Sequence, residues 1–96
     1  MKRVYVCAPS EIAGTCVEQS VKCGVAPIAP HFFIPFLSGD ESEKRANEIA
    51  RHYLWLCDEV WVFGSLCTEE MAKDISLCRN INIPIIDKEK GGKRYE

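Results

Sequence analysis

The fold is decided by the stretch LCDEVWVFGSLCTEEMAKDI, residues 56–75. Residues 60–63 form an unbroken apolar run of β-branched and aromatic side chains, which is typical of a central strand covered on both faces of a parallel sheet. Gly64 ends the run where the backbone must turn. Thr68 is a good N-cap, and the two acidic residues after it suit the first turn of a helix. Sites in open α/β sheets lie at the carboxyl ends of strands, so this junction is predicted to form part of any site.

Outward from this stretch, strands and helices alternate along the chain. The spacing predicts strands over residues 3–8, 25–29, 60–63 and 83–86, and helices over 10–23, 38–56 and 69–79. Pro27 lies inside the second strand and therefore indicates an edge position. This order predicts an α/β fold, a three-layer Rossmann- or flavodoxin-like sandwich with a four-stranded parallel sheet in the order 2-1-3-4. We expect one domain, residues 1–96, with residues 88–96 as a flexible tail.

The details of the first two helices are also predicted. Ser10 is expected to cap the first helix, whose apolar stripe would consist of Ile12, Cys16, Val17 and Val21. Ser38 and Asp40 each stand three residues before a glutamate and are expected to cap the second helix. The solvent-exposed face of the second helix would carry Glu43, Lys44, Glu48 and Arg51.

Composition excludes several classes of protein. The net charge of −2 shows no electrostatic footprint for nucleic acid or for an anionic membrane, and no run reaches transmembrane length. The first residues enter a strand directly, so no signal peptide is expected. The six cysteines form no C-x-x-C pair and no zinc-binding spacing, which predicts reduced thiols, no metal and a cytoplasmic location; the alternative is a disulfide or a metal site.

Asp74 is the most informative single residue. On a helical wheel it falls within or beside the apolar arc marked by Met71, Ile75 and Cys78. A buried carboxylate costs several kcal/mol unless it is paired, which makes Asp74 a candidate for a site. The alternative is that Asp74 lies at the edge of the arc and pairs with a Lys or Arg.

Other candidates lie after the predicted strands. Ser10 and Ser65 follow the first and third strands and could bind a sugar hydroxyl, while His31 follows the second strand and could bind a ligand or serve packing. Glu69 and Glu70 stabilise the start of a helix and would repel a phosphate there. No glycine-rich phosphate-binding motif is present, and no cofactor is expected.

Three pieces of sequence together carry a family resemblance. They are VYVCAP at 4–9, PIAPH at 27–31, and CDEVWVFG at 57–64 followed by TEEM at 68–71 and DI at 74–75. In this combination the chain, from residue 4 to 86, resembles the small, mostly uncharacterised domains related to nucleoside 2-deoxyribosyltransferases.

The resemblance implies a Rossmann-like sandwich that assembles as dimers or larger oligomers. The family's enzymes cleave the N-glycosidic bond of a deoxynucleoside or nucleotide, and a helix carboxylate attacks the anomeric carbon. The family motif falls on Thr68, Glu70 and Asp74; Asp74 stands where the family usually has Glu, and Glu70 where it has Gly. The resemblance and the helical wheel therefore select the same carboxylate.

Two main hypotheses follow. The first is an N-glycosyl transferase or hydrolase acting on a nucleoside or nucleotide, with Asp74 as nucleophile and with substrate contacts from Ser10, His31, Ser65, Thr68 and Glu70. The second is a non-catalytic domain that binds a nucleotide-like ligand or a protein partner. A third is thiol chemistry at Cys67, which precedes a helix N-terminus. The apolar segment 32–37 predicts a homodimer or larger homo-oligomer.

Overall fold

The computed structural model of the chain describes residues 1–95. The chain alternates strands and α-helices and adds three short 3-10 helices. The strands are β1 (Arg3–Cys7), β2 (Ala26–Ile28), β3 (Glu59–Val62), β4 (Ile85–Asp87) and β5 (Lys93–Arg94). The helices are α1 (Ser10–Lys22), α2 (Ser42–Arg51) and α3 (Glu69–Asn80), with 3-10 helices at Pro30–Phe36, Leu54–Leu56 and Lys88–Lys90.

The sheet is mixed and has five strands in the order β2-β1-β3-β4-β5. The first four strands are parallel and follow the predicted order 2-1-3-4, with the Pro27-containing strand at one edge. The prediction of a four-stranded, purely parallel sheet was wrong, because the charged tail adds β5 antiparallel to β4. Gly91 and Gly92 reverse the chain with φ values of 72° and 86°, which glycine adopts without strain. A tail without apolar alternation carries no strand signal in the sequence.

Helices cover both faces of the sheet, which gives three layers. Side chains of the strands alternate between two apolar clusters. Tyr5 and Val60 point to the face covered by α2 and α3, whereas Val6 and Trp61 point to the face covered by α1. The apolar run over residues 60–63 is thus buried on both sides, as predicted.

Helix α1 begins differently from the prediction. Ser10 is the first helical residue and makes no capping hydrogen bond. Pro9 precedes the helix, and the Pro9 carbonyl accepts a hydrogen bond from Ile12 N at 3.1 Å. The buried face consists of Ala13, Cys16 and Ser20, while Ile12 and Val21 of the predicted stripe are 37% and 57% exposed. The buried face of α1 is therefore rotated relative to the predicted stripe, with Cys16 common to both.

Helix α2 begins four residues after the predicted start. Gly39 adopts a φ of 96° and its carbonyl accepts from the Ser42 hydroxyl at 2.8 Å, so neither Ser38 nor Asp40 caps the helix. The apolar segment before it forms the 3-10 helix Pro30–Phe36, which packs along α2. No α-helix within residues 1–95 has the length and apolar character needed to cross a bilayer.

Candidate functional site

A cleft of about 240 Å³ opens where β1 ends and where α1 and α3 begin. The 3-10 helix Pro30–Phe36 and α2 supply its other walls. The cleft lies at the carboxyl ends of β1 and β2, the edge at which ligand sites of open α/β sheets form. Its walls bring together five of the six predicted site residues: Ser10, His31, Thr68, Glu70 and Asp74.

Ser65 is the exception among the predicted site residues. It is exposed on the loop between β3 and α3 and does not line the cleft. The loop turns away at Gly64, whose φ of 89° directs the chain outward and whose missing Cβ leaves room for Pro9 and Ile12. Position after a strand alone did not reveal this change of direction.

Asp74 lies at the base of the cleft and is only 1% exposed. Its Oδ1 accepts a hydrogen bond from Arg51 Nε at 2.6 Å, and its Oδ2 accepts one from the Tyr5 hydroxyl at 3.1 Å. Burial raises the pKa of Asp74 to about 6, although the hydrogen bonds from Arg51 and Tyr5 favour the ionised form. Asp74 is therefore buried, not at the edge of the apolar arc, and it is paired with an arginine, as the second alternative predicted.

Arg51 and Tyr5 are site residues that the sequence did not reveal. Arg51 was predicted on the solvent-exposed face of the second helix, but its side chain is only 17% exposed and also bonds to the Glu70 carboxylate and, at 3.3 Å, to the Glu70 carbonyl. Tyr5 was predicted only as one of the apolar residues of the first strand. The sequence did indicate that a buried Asp74 needs a partner, but it did not indicate which residue that partner is.

Glu70 and Thr68 are partly engaged within the protein. Burial opposes the charge of Glu70, but hydrogen bonds from Arg51 and Lys73 outweigh it and lower the pKa of Glu70. The Thr68 hydroxyl accepts from Met71 N at 3.2 Å, which confirms the predicted N-cap of α3. Thr68 Oγ1 therefore keeps its hydroxyl proton for a second partner.

His31 contributes an imidazole ring to the cleft wall. Burial lowers the pKa of His31 and so favours the neutral form of the ring. Its Nδ1 is buried and has no hydrogen-bond partner among residues 1–95, and its ring packs edge-on against Phe32 at a centroid distance of 5.1 Å. The ring thus packs against Phe32, while its Nδ1 is left without a hydrogen bond within residues 1–95.

Three further acidic side chains line the cleft beside Glu70 and Asp74. They are Glu11 from α1, Glu43 from α2 and Glu69 from α3. Glu11 and Glu69 lie in the first turns of their helices, where the helix dipole favours a carboxylate. Only the convergence of three helices on one cleft brings these charges together.

The cysteines are all unpaired in the structure. Cys7 lines the cleft, but burial raises the pKa of its thiol well above the ordinary value, which favours an unreactive thiol. Cys67 is exposed and borders a separate hollow beside Arg79 and Tyr95. Within residues 1–95 no three His, Cys, Asp or Glu side chains are arranged to hold a metal ion.

Comparison with known proteins assigns the chain to a family without assigning a function. No curated protein sequence matches it. A family model described as a domain of unknown function (DUF7768) matches residues 2–88, a stretch that runs from β1 through β4 and includes every helix that borders the cleft. Because this match covers nearly the whole chain, the protein belongs to the DUF7768 family of domains of unknown function.

Proposed function

We propose that this protein binds a nucleoside or nucleotide in the cleft and cleaves or transfers its N-glycosidic bond through Asp74. The observation that supports the proposal is a buried carboxylate at the base of a cleft, held on one side by Arg51 and on the other by Tyr5. Two fixed hydrogen bonds define the orientation of a nucleophile, which is what attack on an anomeric carbon requires.

The charge state of Asp74 suits this role. With a pKa of about 6, the carboxylate is mostly ionised at pH 7 and can act as a nucleophile. Each oxygen accepts one hydrogen bond and keeps a lone pair for the sugar carbon. Attack at this carbon displaces the base with the bonding electrons, and the base takes a proton from solvent. Water or a second base then attacks the same carbon, gives up a proton to solvent and releases the Asp74 carboxylate.

Other cleft residues would position the substrate. The Ser10 and Thr68 hydroxyls and the His31 ring offer hydrogen bonds to sugar hydroxyls or to a base. Glu70 fixes Arg51 and, through it, Asp74. No cofactor is part of the proposal, since the carboxylate alone supplies the covalent chemistry.

The proposal extends to the relatives, location and assembly of the protein. We assign the fold to the Rossmann- or flavodoxin-like sandwiches and relate it to the nucleoside 2-deoxyribosyltransferases, on the sequence resemblance. Six unpaired thiols suit a reducing compartment, so we place the protein in the cytoplasm. The exposed Phe36, with 84% of its surface free, supports a homodimer or larger homo-oligomer.

A second candidate is a domain that binds a nucleotide-like ligand or a protein without turnover. The observation favouring it is that Arg51 and Tyr5 already bind the two oxygens of Asp74. A buried carboxylate with a purely structural role would have the same partners. Aspartate is also one methylene shorter than the glutamate that the resemblance implies, and such a displacement can cost orders of magnitude in rate.

The test is a panel of ribo- and deoxyribonucleosides and their 5′-monophosphates, incubated with and without an acceptor base and followed by chromatography of free and exchanged base. Asp74→Asn is assayed in parallel, with Asp40→Asn on the exposed loop before α2 as the matched control. We expect turnover that Asp74→Asn abolishes and Asp40→Asn retains. Turnover that survives Asp74→Asn would refute the role of this residue.

Calorimetric titration of the same panel separates the two candidates. Binding without turnover would support the second candidate and reject the first. The absence of both binding and turnover across the panel would reject nucleoside recognition altogether. Thermal melting of Asp74→Asn, followed by circular dichroism, shows whether lost turnover reflects chemistry or unfolding.

A further inference from the structure

We infer that the cleft selects an uncharged nucleoside and discriminates against its 5′-phosphorylated form. This inference rests on the proposed function, because it names the substrate class of the same cleft. It follows from the distribution of charge around the cleft, which is independent of the orientation of Asp74 on which the catalytic proposal depends.

Among the described residues, the Asp, Glu, Lys and Arg residues that line the cleft are all acidic. Five carboxylates line it, and among the described residues 1–95 no Lys or Arg does. They are Glu11, Glu43, Glu69, Glu70 and Asp74. A phosphate group entering the cleft would therefore meet acceptors of its own charge and no cationic donor on the walls.

The two cations next to these carboxylates are already engaged. Arg51 pairs with Asp74 and Glu70, and Lys73 pairs with Glu70 at 3.2 Å and with Glu69 at 3.9 Å. Five negative charges against these two positive ones leave three negative charges uncompensated at the cleft. Arg51 does not line the cleft, and its Nε and Nη2 groups already bond to Asp74 and Glu70.

The helix N-termini at the cleft do not reverse this balance. The first backbone N–H groups of α1 and α3 would by themselves favour an anion. Each N-terminus is equivalent to about half a positive charge, so the two together reduce the excess of three negative charges to about two and do not cancel it. Glu11 and Glu43 form no ion pair within residues 1–95, so their charges act on the ligand.

The expected size of the discrimination is set by screened Coulomb repulsion. A phosphate dianion about 10 Å from this excess of about two to three negative charges, at physiological ionic strength, should bind about tenfold more weakly than the corresponding nucleoside. The discrimination should shrink as salt is added, because the charges are near solvent.

The first experiment compares nucleosides with their 5′-monophosphates by calorimetry in the wild type and two double variants. Glu11→Gln/Glu43→Gln removes two cleft charges. Glu18→Gln/Glu48→Gln removes two exposed charges from the same two helices, away from the cleft, and is the matched control. We expect the ratio of the two affinities to fall from about tenfold to below about threefold only in the cleft variant. A wild type that prefers the monophosphate, or equal ratios in both variants, would overturn the inference.

The second experiment does not require that any nucleoside binds. Ser10→Cys places a thiol on the cleft wall, and peptide-resolved mass spectrometry compares its rates of labelling by cationic and anionic methanethiosulfonates. The exposed native Cys23, at the other end of α1, is the internal control. We expect the cation-to-anion rate ratio at position 10 to exceed that of Cys23 at least about fivefold, and to fall when Glu11→Gln/Glu43→Gln is added.

These two readouts separate the failures of the two proposals. If no nucleoside binds but the labelling ratio is high, the cleft is anionic and the proposed function is wrong. If nucleosides bind but the labelling ratio at position 10 equals that of Cys23, the proposed function survives and the charge-selection inference is overturned.

Discussion

Replacing Arg51 by methionine tests whether the Arg51–Asp74 pair holds the site together. Methionine preserves much of the apolar stem but removes both the bond to Asp74 Oδ1 and the bonds to Glu70. Asp74 is 1% exposed and, among residues 1–95, keeps only the Tyr5 hydroxyl as a partner. The substitution therefore leaves a buried carboxyl group that must either stay charged without its cation or take up a proton.

The loss of stability should depend on pH. Removing Arg51 raises the pKa of Asp74 beyond about 6, whereas the carboxyl of the unfolded chain keeps an ordinary value of 3.8. The native variant then binds more protons than the unfolded chain, so its stability falls as pH rises, by up to about 1.4 kcal/mol per unit. In the wild type this decline is confined to pH values below and around 6. We expect Arg51→Met to lose about 1 kcal/mol at pH 5 and about 3–4 kcal/mol at pH 8.

Urea unfolding followed by tryptophan fluorescence measures this loss, since Trp61 is buried and reports on the core. Arg45→Met, on the exposed side of the same helix, is the matched control for charge and helix propensity. A stability of about 5–15 kcal/mol, usual for a domain of this size, keeps the variant measurable. Equal losses in the two variants, or a loss for Arg51→Met that does not grow between pH 6 and pH 8, would refute the reasoning.

Two further predictions concern the other partner of Asp74 and the exposed apolar segment. Tyr5→Phe removes one hydrogen bond to a buried carboxylate and should lower the free energy of unfolding by about 1–3 kcal/mol at pH 7, measured by the same urea titration; a loss below about 0.5 kcal/mol would contradict the assigned bond. Light scattering after size exclusion should show a homodimer or larger assembly at tens of micromolar, and Phe36→Ser should shift it towards the monomer. A monomeric wild type at that concentration would reject the predicted assembly.

Much of the architecture follows from local sequence patterns. The apolar run over residues 60–63 predicted a strand covered on both faces, and Pro27 predicted an edge strand; both predictions are confirmed. Thr68 caps α3 as predicted because capping depends only on residues within one turn. The 3.6-residue period placed Asp74 within or beside the apolar arc of α3, and the structure buries it.

The tertiary structure decided which partners these residues meet. Asp74 is 23 residues from Arg51 and 69 from Tyr5, and no local period connects positions so far apart. Packing of α1 on the sheet buried Ala13 and Ser20 in place of Ile12 and Val21. Strand β5 formed because β4 offered an unpaired edge to a tail whose own sequence carries no strand pattern.

The candidate site also combines features that the sequence predicts with features that only the tertiary structure decides. The sequence by itself determined the acid at the base of the cleft and the edge of the sheet where the cleft opens, because both follow from local periodicity and the order of elements. Only the tertiary structure decided the ion pair that holds Asp74 and the acidic walls formed by Glu11, Glu43 and Glu69. Side chains from separate helices converge according to the packing angles of whole elements, which no single stretch of sequence encodes.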